Sequence, residues 1–136
     1  MILVDTGALY ALADRSDANH RAATTCLNTL AEPLAIHGLI LAETWYMLES
    51  RLGRLPARRL CEKVAAGDLT LLAVEADDIA AALAIEQRYA DLSLGLTDAV
   101  SFVLCEREEI VAAFTFDRKH FGAFRPAHAP ALRLLP

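Results

Sequence analysis

Cysteine is scarce in this sequence and its pattern is uninformative of any staple. Only Cys26, Cys61 and Cys105 occur, an odd and widely spaced set with no CxxC pair. That excludes a disulfide framework, and the three read as reduced core thiols of a cytoplasmic protein. None of them shares a local motif with a histidine or asparagine, so a cysteine nucleophile lacks its partner. The histidines stand at 20, 37, 120 and 128 and no two have zinc-ligand spacing. Long hydrophobic runs are also missing. The longest, such as 38–42 and 99–105, are far short of the ~20 residues that span a bilayer. The first residues carry no basic stretch, and Asp5 interrupts the opening apolar run, so no signal peptide is expected. Nor are there internal repeats, low-complexity segments or a linker, and 1–136 reads as a single domain. Finally, positive charge is not in excess: 13 bases against 18 acids give a net charge of −5, which on its face argues against a polyanion ligand.

What is present is apolar residues, 55% of the chain, with a mean hydropathy of +0.32. Short β-branched or leucine-rich runs at 2–4, 34–37, 69–74 and 110–116 read as strands, with a further short one at 131–135. Between them lie helical patterns at 8–13, 17–31, 38–52, from Pro56 to about 66, 77–90, and from Thr97 to about 107. Thr6 and Thr97 are the expected N-caps, Pro56 an expected first helical residue and Gly53 a stop. Strands alternating with helices imply a parallel sheet covered on both faces, a three-layer α/β/α sandwich.

Four acids are set in apolar surroundings. Asp5 follows Ile2-Leu3-Val4, and Glu43 lies in Leu39-Ile40-Leu41-Ala42-Glu43-Thr44-Trp45. Asp98 lies in Leu94-Gly95-Leu96-Thr97-Asp98-Ala99-Val100, and Asp117 follows Ala113-Phe114-Thr115-Phe116. A carboxylate with apolar neighbours needs a hydrogen bond, a counter-charge or a metal. Asp5 and Asp117 both end expected parallel strands, at the edge where open α/β sheets build their sites. No basic residue adjoins Asp5, Glu43 or Asp98. A hard divalent cation, Mg²⁺ or Mn²⁺, suits an all-oxygen donor set and would serve phosphodiester hydrolysis. Each acid alone also has an ordinary reading, as a turn, a capping or a solvated residue; the pattern of four is what points to a metal site. Setting these four aside leaves 14 acids against 13 bases, and a nucleic-acid substrate is no longer excluded.

The same segments carry a family resemblance. Ile2-Leu3-Val4-Asp5-Thr6-Gly7-Ala8-Leu9, Leu41-Ala42-Glu43, Tyr89-Ala90-Asp91-Leu92 with Leu96-Thr97-Asp98-Ala99, and Phe114-Thr115-Phe116-Asp117-Arg118-Lys119-His120-Phe121 occur in that order. From residue 1 to about 124 the chain resembles the PIN-domain family, and within it the VapC toxins of bacterial toxin–antitoxin modules. The resemblance implies an Mg²⁺- or Mn²⁺-dependent endoribonuclease acting on RNA. It implies Asp5, Glu43, Asp98 and Asp117 as catalytic and metal-holding acids, with Asp5 and Asp98 as direct ligands. It also implies a small antitoxin partner and a homodimer.

Several other residues are candidates for support. Thr6, Thr97 and Thr115 carry hydroxyls beside the acids, for a carboxylate or a phosphate, or for plain capping and strand packing. Asp91 precedes Asp98 by seven residues and is expected to structure the loop or to stand behind the ligands. Arg118, Lys119 and His120 follow Asp117 closely enough to reach a phosphate. Arg51, Arg54, Arg58, Arg59 and Lys63 form the one basic cluster, either an RNA-binding surface or a solvated helical hairpin. Trp45 and Tyr46 are candidates for base stacking, or for the core or an interface.

Two rivals remain open. One is an Asp-based Mg²⁺-dependent phosphatase or phosphotransfer domain. Against it, Gly7 stands where a haloacid-dehalogenase pattern requires a second aspartate, and the paired early acids of receiver domains are missing. The other is a noncatalytic RNA-binding module on the same fold, which loss of pocket acids would signal; all four acids are present.

Overall fold

The computed structural model describes residues 1–136. Its centre is a five-stranded, wholly parallel sheet in the order β3-β2-β1-β4-β5. The strands are β1 (Ile2–Val4), β2 (Leu34–His37), β3 (Thr70–Leu72), β4 (Ala112–Phe114) and β5 (Arg133–Leu135). β1 lies in the middle, with Leu3 opposite Ala35 of β2 on one side and opposite Ala113 of β4 on the other. Ile2, Leu3 and Val4 are all buried, as expected for a strand covered on both faces, where an apolar run replaces alternation. Truncating Leu3 to alanine there costs about 2–5 kcal/mol.

The helices are α1 (Thr6–Ala13), α2 (His20–Leu27), α3 (Gly38–Leu52), α4 (Arg54–Ala65), α5 (Ala76–Arg88), α6 (Leu96–Arg107) and α7 (His120–Ala123), with a 3-10 turn at Ala90–Leu92. Crossovers carry the chain from β1 through β2 to β3 in one direction, then back to β4 and β5 in the other. The right-handed sense that parallel crossovers follow puts α1–α4 over one face and α5–α7 over the opposite one. In α6 the run Ala99–Cys105 is buried at every position, so this helix is enclosed on all sides and shows little amphipathic pattern. Phe102 of α6 stacks on Phe124 at 4.1 Å between ring centroids and meets Phe121 of α7 edge-on at 5.0 Å. No helix is long and apolar enough to cross a membrane.

The layered fold is as expected; several boundaries are not. The expected helix over 17–31 shrinks to α2, because Asp17 turns the chain by accepting the Asn19 N–H and Thr29 folds back onto the Cys26 carbonyl. Pro56 is the third residue of α4, not the first, still within the turn whose N–H groups need no intrahelical acceptor. Thr6 does not cap α1: Asp5 does, accepting the Ala8 N–H. Thr97 does not cap α6, which starts one residue earlier at Leu96 with Gly95 before it. The third and fourth strands are three residues each, shorter than 69–74 and 110–116. α5 runs Ala76–Arg88 and not 77–90.

Candidate metal centre

The sheet reverses its winding between β1 and β4, and ligand sites of open α/β sheets form at the carboxyl ends of strands at such a point. Asp5 leaves β1 there and Asp117 lies three residues beyond β4. The Asp5 backbone N–H donates to the Phe114 carbonyl, joining the two strand ends. Glu43 enters from the second turn of α3 and Asp98 from the first turn of α6. All four acids line one cavity of about 230 Å³, with Thr6, Gly7, Ile40, Thr97, Ser101 and Phe116. No lysine or arginine is among its lining residues.

Each acid is held by a short polar network. The Asp5 carboxylate accepts the Ala8 N–H at 2.6 Å through Oδ1 and the Thr115 hydroxyl through Oδ2. Thr115 in turn accepts the Asp117 N–H at 2.9 Å. Thr6 donates its hydroxyl to Glu43 Oε2 at 2.7 Å, fixing a carboxylate that otherwise lies exposed on the rim. His120 sets its Nδ1 2.9 Å from oxygens of both Asp98 and Asp117, while its Nε2 contacts the Leu92 carbonyl at 3.0 Å. The His120 backbone N–H donates to Asp117 Oδ1 at 2.8 Å.

The electrostatics are unbalanced. Burial pushes the Asp5 carboxyl up to about 6, helped by Asp98 and Asp117 and opposed by its two hydrogen bonds. Burial also raises Asp98, aided by Asp117 and Glu43 and opposed by His120. Carboxylates in a half-enclosed cavity repel one another and lose hydration, and hydrogen bonds recover only part of that. This donor set fits a hard divalent cation: oxygen-rich, anionic, and open on one side to solvent or substrate. Gly7 also lines the cavity, and a Cβ there would meet the two Asp5 oxygens at ordinary contact distances of 3.6 and 3.8 Å.

The other candidates divide. Thr6, Thr97 and Thr115 lie at the acids, with Thr97 lending its backbone carbonyl to the Ser101 hydroxyl. Asp91 is exposed in the 3-10 turn and does not line the cavity; its neighbour Leu92 makes the contact to His120. Arg118 turns away, its guanidinium donating to the Pro136 oxygen. Lys119 is exposed. Within the basic cluster Arg54 pairs with Glu49, Arg58 with Glu62 and Lys63 with Asp68, while Arg51 lies over the Tyr10 ring at 5.2 Å. Arg59 is exposed. The cluster thus spends much of its charge on the chain's own acids and does not adjoin the cavity. Trp45 packs against the core and donates to Glu49, whereas Tyr46 is 72% exposed.

Sequence reasoning underused two histidines. His120 follows Asp117 by three residues, the spacing at which a turn folds back on itself, and this spacing was its only signal. His37 closes β2 fully buried beneath the cavity, its Nε2 2.9 Å from the Ser101 hydroxyl and its Nδ1 without a partner. Burial depresses its pKa to about 4, so it stands neutral. A lone histidine on an apolar strand gives no hint of that role.

Residues 2–124 match the family model of the PIN domain. The chain is 30% identical over 135 residues to Ribonuclease VapC26 of Mycobacterium tuberculosis, covering 99% of this chain and all of that one. In three dimensions it is similar to the crystal structure of VapC20 from the same organism, a Sarcin-Ricin loop cleaving toxin, with a TM-score of 0.86 and 24% identity over 95% of this chain and 98% of that one. It is also similar to a toxin–antitoxin complex from Klebsiella pneumoniae, with a TM-score of 0.71 and 19% identity over 97% and 99% of the two chains.

Proposed function

The chain belongs to the PIN-domain family, and from that premise we propose that it is a divalent-cation-dependent endoribonuclease serving as the toxin of a toxin–antitoxin module. The observation that carries the reading is the convergence of Asp5, Glu43, Asp98 and Asp117, from four separate chain segments, on one cavity with no lysine or arginine in its lining. Asp5, Asp98 and Asp117 would hold the cation, Mg²⁺ or Mn²⁺, with Glu43 at the rim acting directly or through a water. The bound cation supplies an acidified water and charge stabilisation at the phosphoryl group.

The protein's own part is positioning. Thr115 and the α1 N-terminus fix both oxygens of Asp5, so its carboxylate presents one orientation to the cavity. Thr6 holds Glu43 toward the opening, where a phosphate enters. The half-enclosed site limits bulk water and strengthens each charge interaction within it. The exposed Lys119, next to the site in sequence, supplies phosphate attraction, with Arg54 and Arg58 contributing only what their pairing to Glu49 and Glu62 leaves, and Arg51 and Arg59 held in no ion pair.

The likeness to a ribonuclease over the full chain and to a toxin–antitoxin complex supports RNA as substrate and a small antitoxin as partner. A homodimer is part of the same reading, and light scattering would test it. The activity is tested on a structured RNA pool with Mg²⁺ or Mn²⁺, with EDTA, and with Asp5→Asn and Asp98→Asn. Cation-dependent cutting that both variants lose is the expected result. Cutting that survives EDTA and both substitutions would overturn the reading.

A further inference from the structure

His120 is placed as a ligand is placed. Its Nε2 faces the Leu92 carbonyl, which can only accept, so Nε2 carries a proton. In the neutral ring the Nδ1 lone pair then points at Asp98 Oδ2 and Asp117 Oδ2, each 2.9 Å away. Three lone-pair donors cannot share that space without a cation among them. With metal–ligand bonds near 2.1 Å, neighbouring ligands of an octahedral ion stand about 3.0 Å apart, which matches both separations. The backbone carbonyl behind the ring is the usual support of a metal-bound imidazole, fixing its tautomer and its direction. The donor atoms of Asp98, Asp117 and His120 all lie within 4.8 Å of one another.

We propose that His120 Nδ1 is a metal ligand of the pocket, completing a nitrogen–oxygen set with Asp98 and Asp117 that favours Mn²⁺, Co²⁺ or Zn²⁺ over Mg²⁺. The inference rests on the reading that the acidic cavity holds a divalent cation. Imidazole suits borderline transition metals, whereas Mg²⁺ takes oxygen ligands and keeps its waters. The rival occupant of the space is a proton, with His120 a positively charged counter-ion that a metal would have to displace.

The two roles predict opposite signs on removing the ring. The experiment titrates metal-stripped protein with Mn²⁺ and with Mg²⁺ by calorimetry, for the native chain and for His120→Gln, with circular dichroism as the check on folding. Pulsed EPR on the Mn²⁺-loaded native protein looks for a directly coordinated ¹⁴N. The expected result is a ¹⁴N coupling that His120→Gln abolishes, and a loss in Mn²⁺ affinity of about 10- to 100-fold with Mg²⁺ affinity changed far less. Tighter binding of both metals in the variant, with no ¹⁴N coupling in the native protein, would overturn the ligand role and leave the acidic site standing. Binding of neither metal to the native chain would overturn both readings. The EPR signal is read on the native protein, so it decides the question even if the variant unfolds.

Discussion

Thr115 donates its hydroxyl to Asp5 across 110 residues of sequence and, through the same oxygen, accepts the backbone N–H of Asp117. One side chain therefore sets the spacing of two pocket acids and ties the end of β4 to the start of α1. Thr115→Val keeps the shape and removes both bonds, leaving the Asp117 N–H without an acceptor. The expected cost is about 1–3 kcal/mol of stability, read by urea unfolding, together with a marked fall in RNA cleavage. Thr115→Ser restores most of both.

Asp5 is destabilising as a carboxylate. Its folded pKa, raised from 3.8 to about 6, means that the folded state binds the proton more tightly than the unfolded one. Stability is therefore lost as pH rises through that window, and the loss is complete above pH 6. Asp5→Asn keeps a competent cap for α1 and removes the charge. Metal-free Asp5→Asn should be more stable than the native chain at pH 7 by on the order of 1–3 kcal/mol, and the advantage should vanish near pH 4. Added Mn²⁺ should raise the melting temperature of the native chain and leave the variant unmoved.

His37 acts with the opposite sign. With its folded pKa depressed to about 4, the unfolded chain binds the proton first, so acidification from pH 6.5 to 4 destabilises the fold. In the native chain this slope is offset by Asp5, whose window overlaps it. Unfolding of Asp5→Asn followed between pH 7 and 4 should therefore expose a steeper acid loss than the native protein shows. His37→Leu in that background should flatten it.

The thiols should report the core. Burial pushes Cys105 up to about 12 and raises Cys26 as well, while Cys61 is only partly buried. A thiol reagent at pH 8 should modify one cysteine of the native protein readily and all three in urea.

The surface charges should separate by pairing. Arg54→Gln and Arg58→Gln remove residues already paired to Glu49 and Glu62 and should change cleavage by less than about twofold. Lys119→Gln should weaken RNA binding and lower its salt dependence by about one unit of slope.

The sheet and the four acids were legible because their signals are local or strongly patterned. Ile2-Leu3-Val4-Asp5 announces a buried strand ending in a misplaced charge, and so does Phe114-Thr115-Phe116-Asp117. Helix ends were harder, since Asp5 and Thr6 are both good caps and only the backbone geometry decides between them. The fate of the arginine cluster was not legible, because it depends on where Glu49, Glu62 and Asp68 point. His120 and His37 acquire their roles from contacts to Asp98, Leu92 and Ser101, residues distant in sequence that no spacing rule could pair with them.

The position of β1 has a consequence for synthesis on the ribosome. This strand precedes the other four, yet lies between neighbours that pair with it through residues 34–35 and 113–114. A nascent chain that has released its first hundred residues already exposes Asp5, Glu43 and Asp98, but its central strand still lacks one flank and Asp117 has not yet emerged. Such non-local pairing forms late, after the intervening helices have had time to collapse. Assembly of the four pocket acids is thus deferred until β4 and Asp117 have emerged, and any partner that meets the chain earlier meets an incomplete pocket.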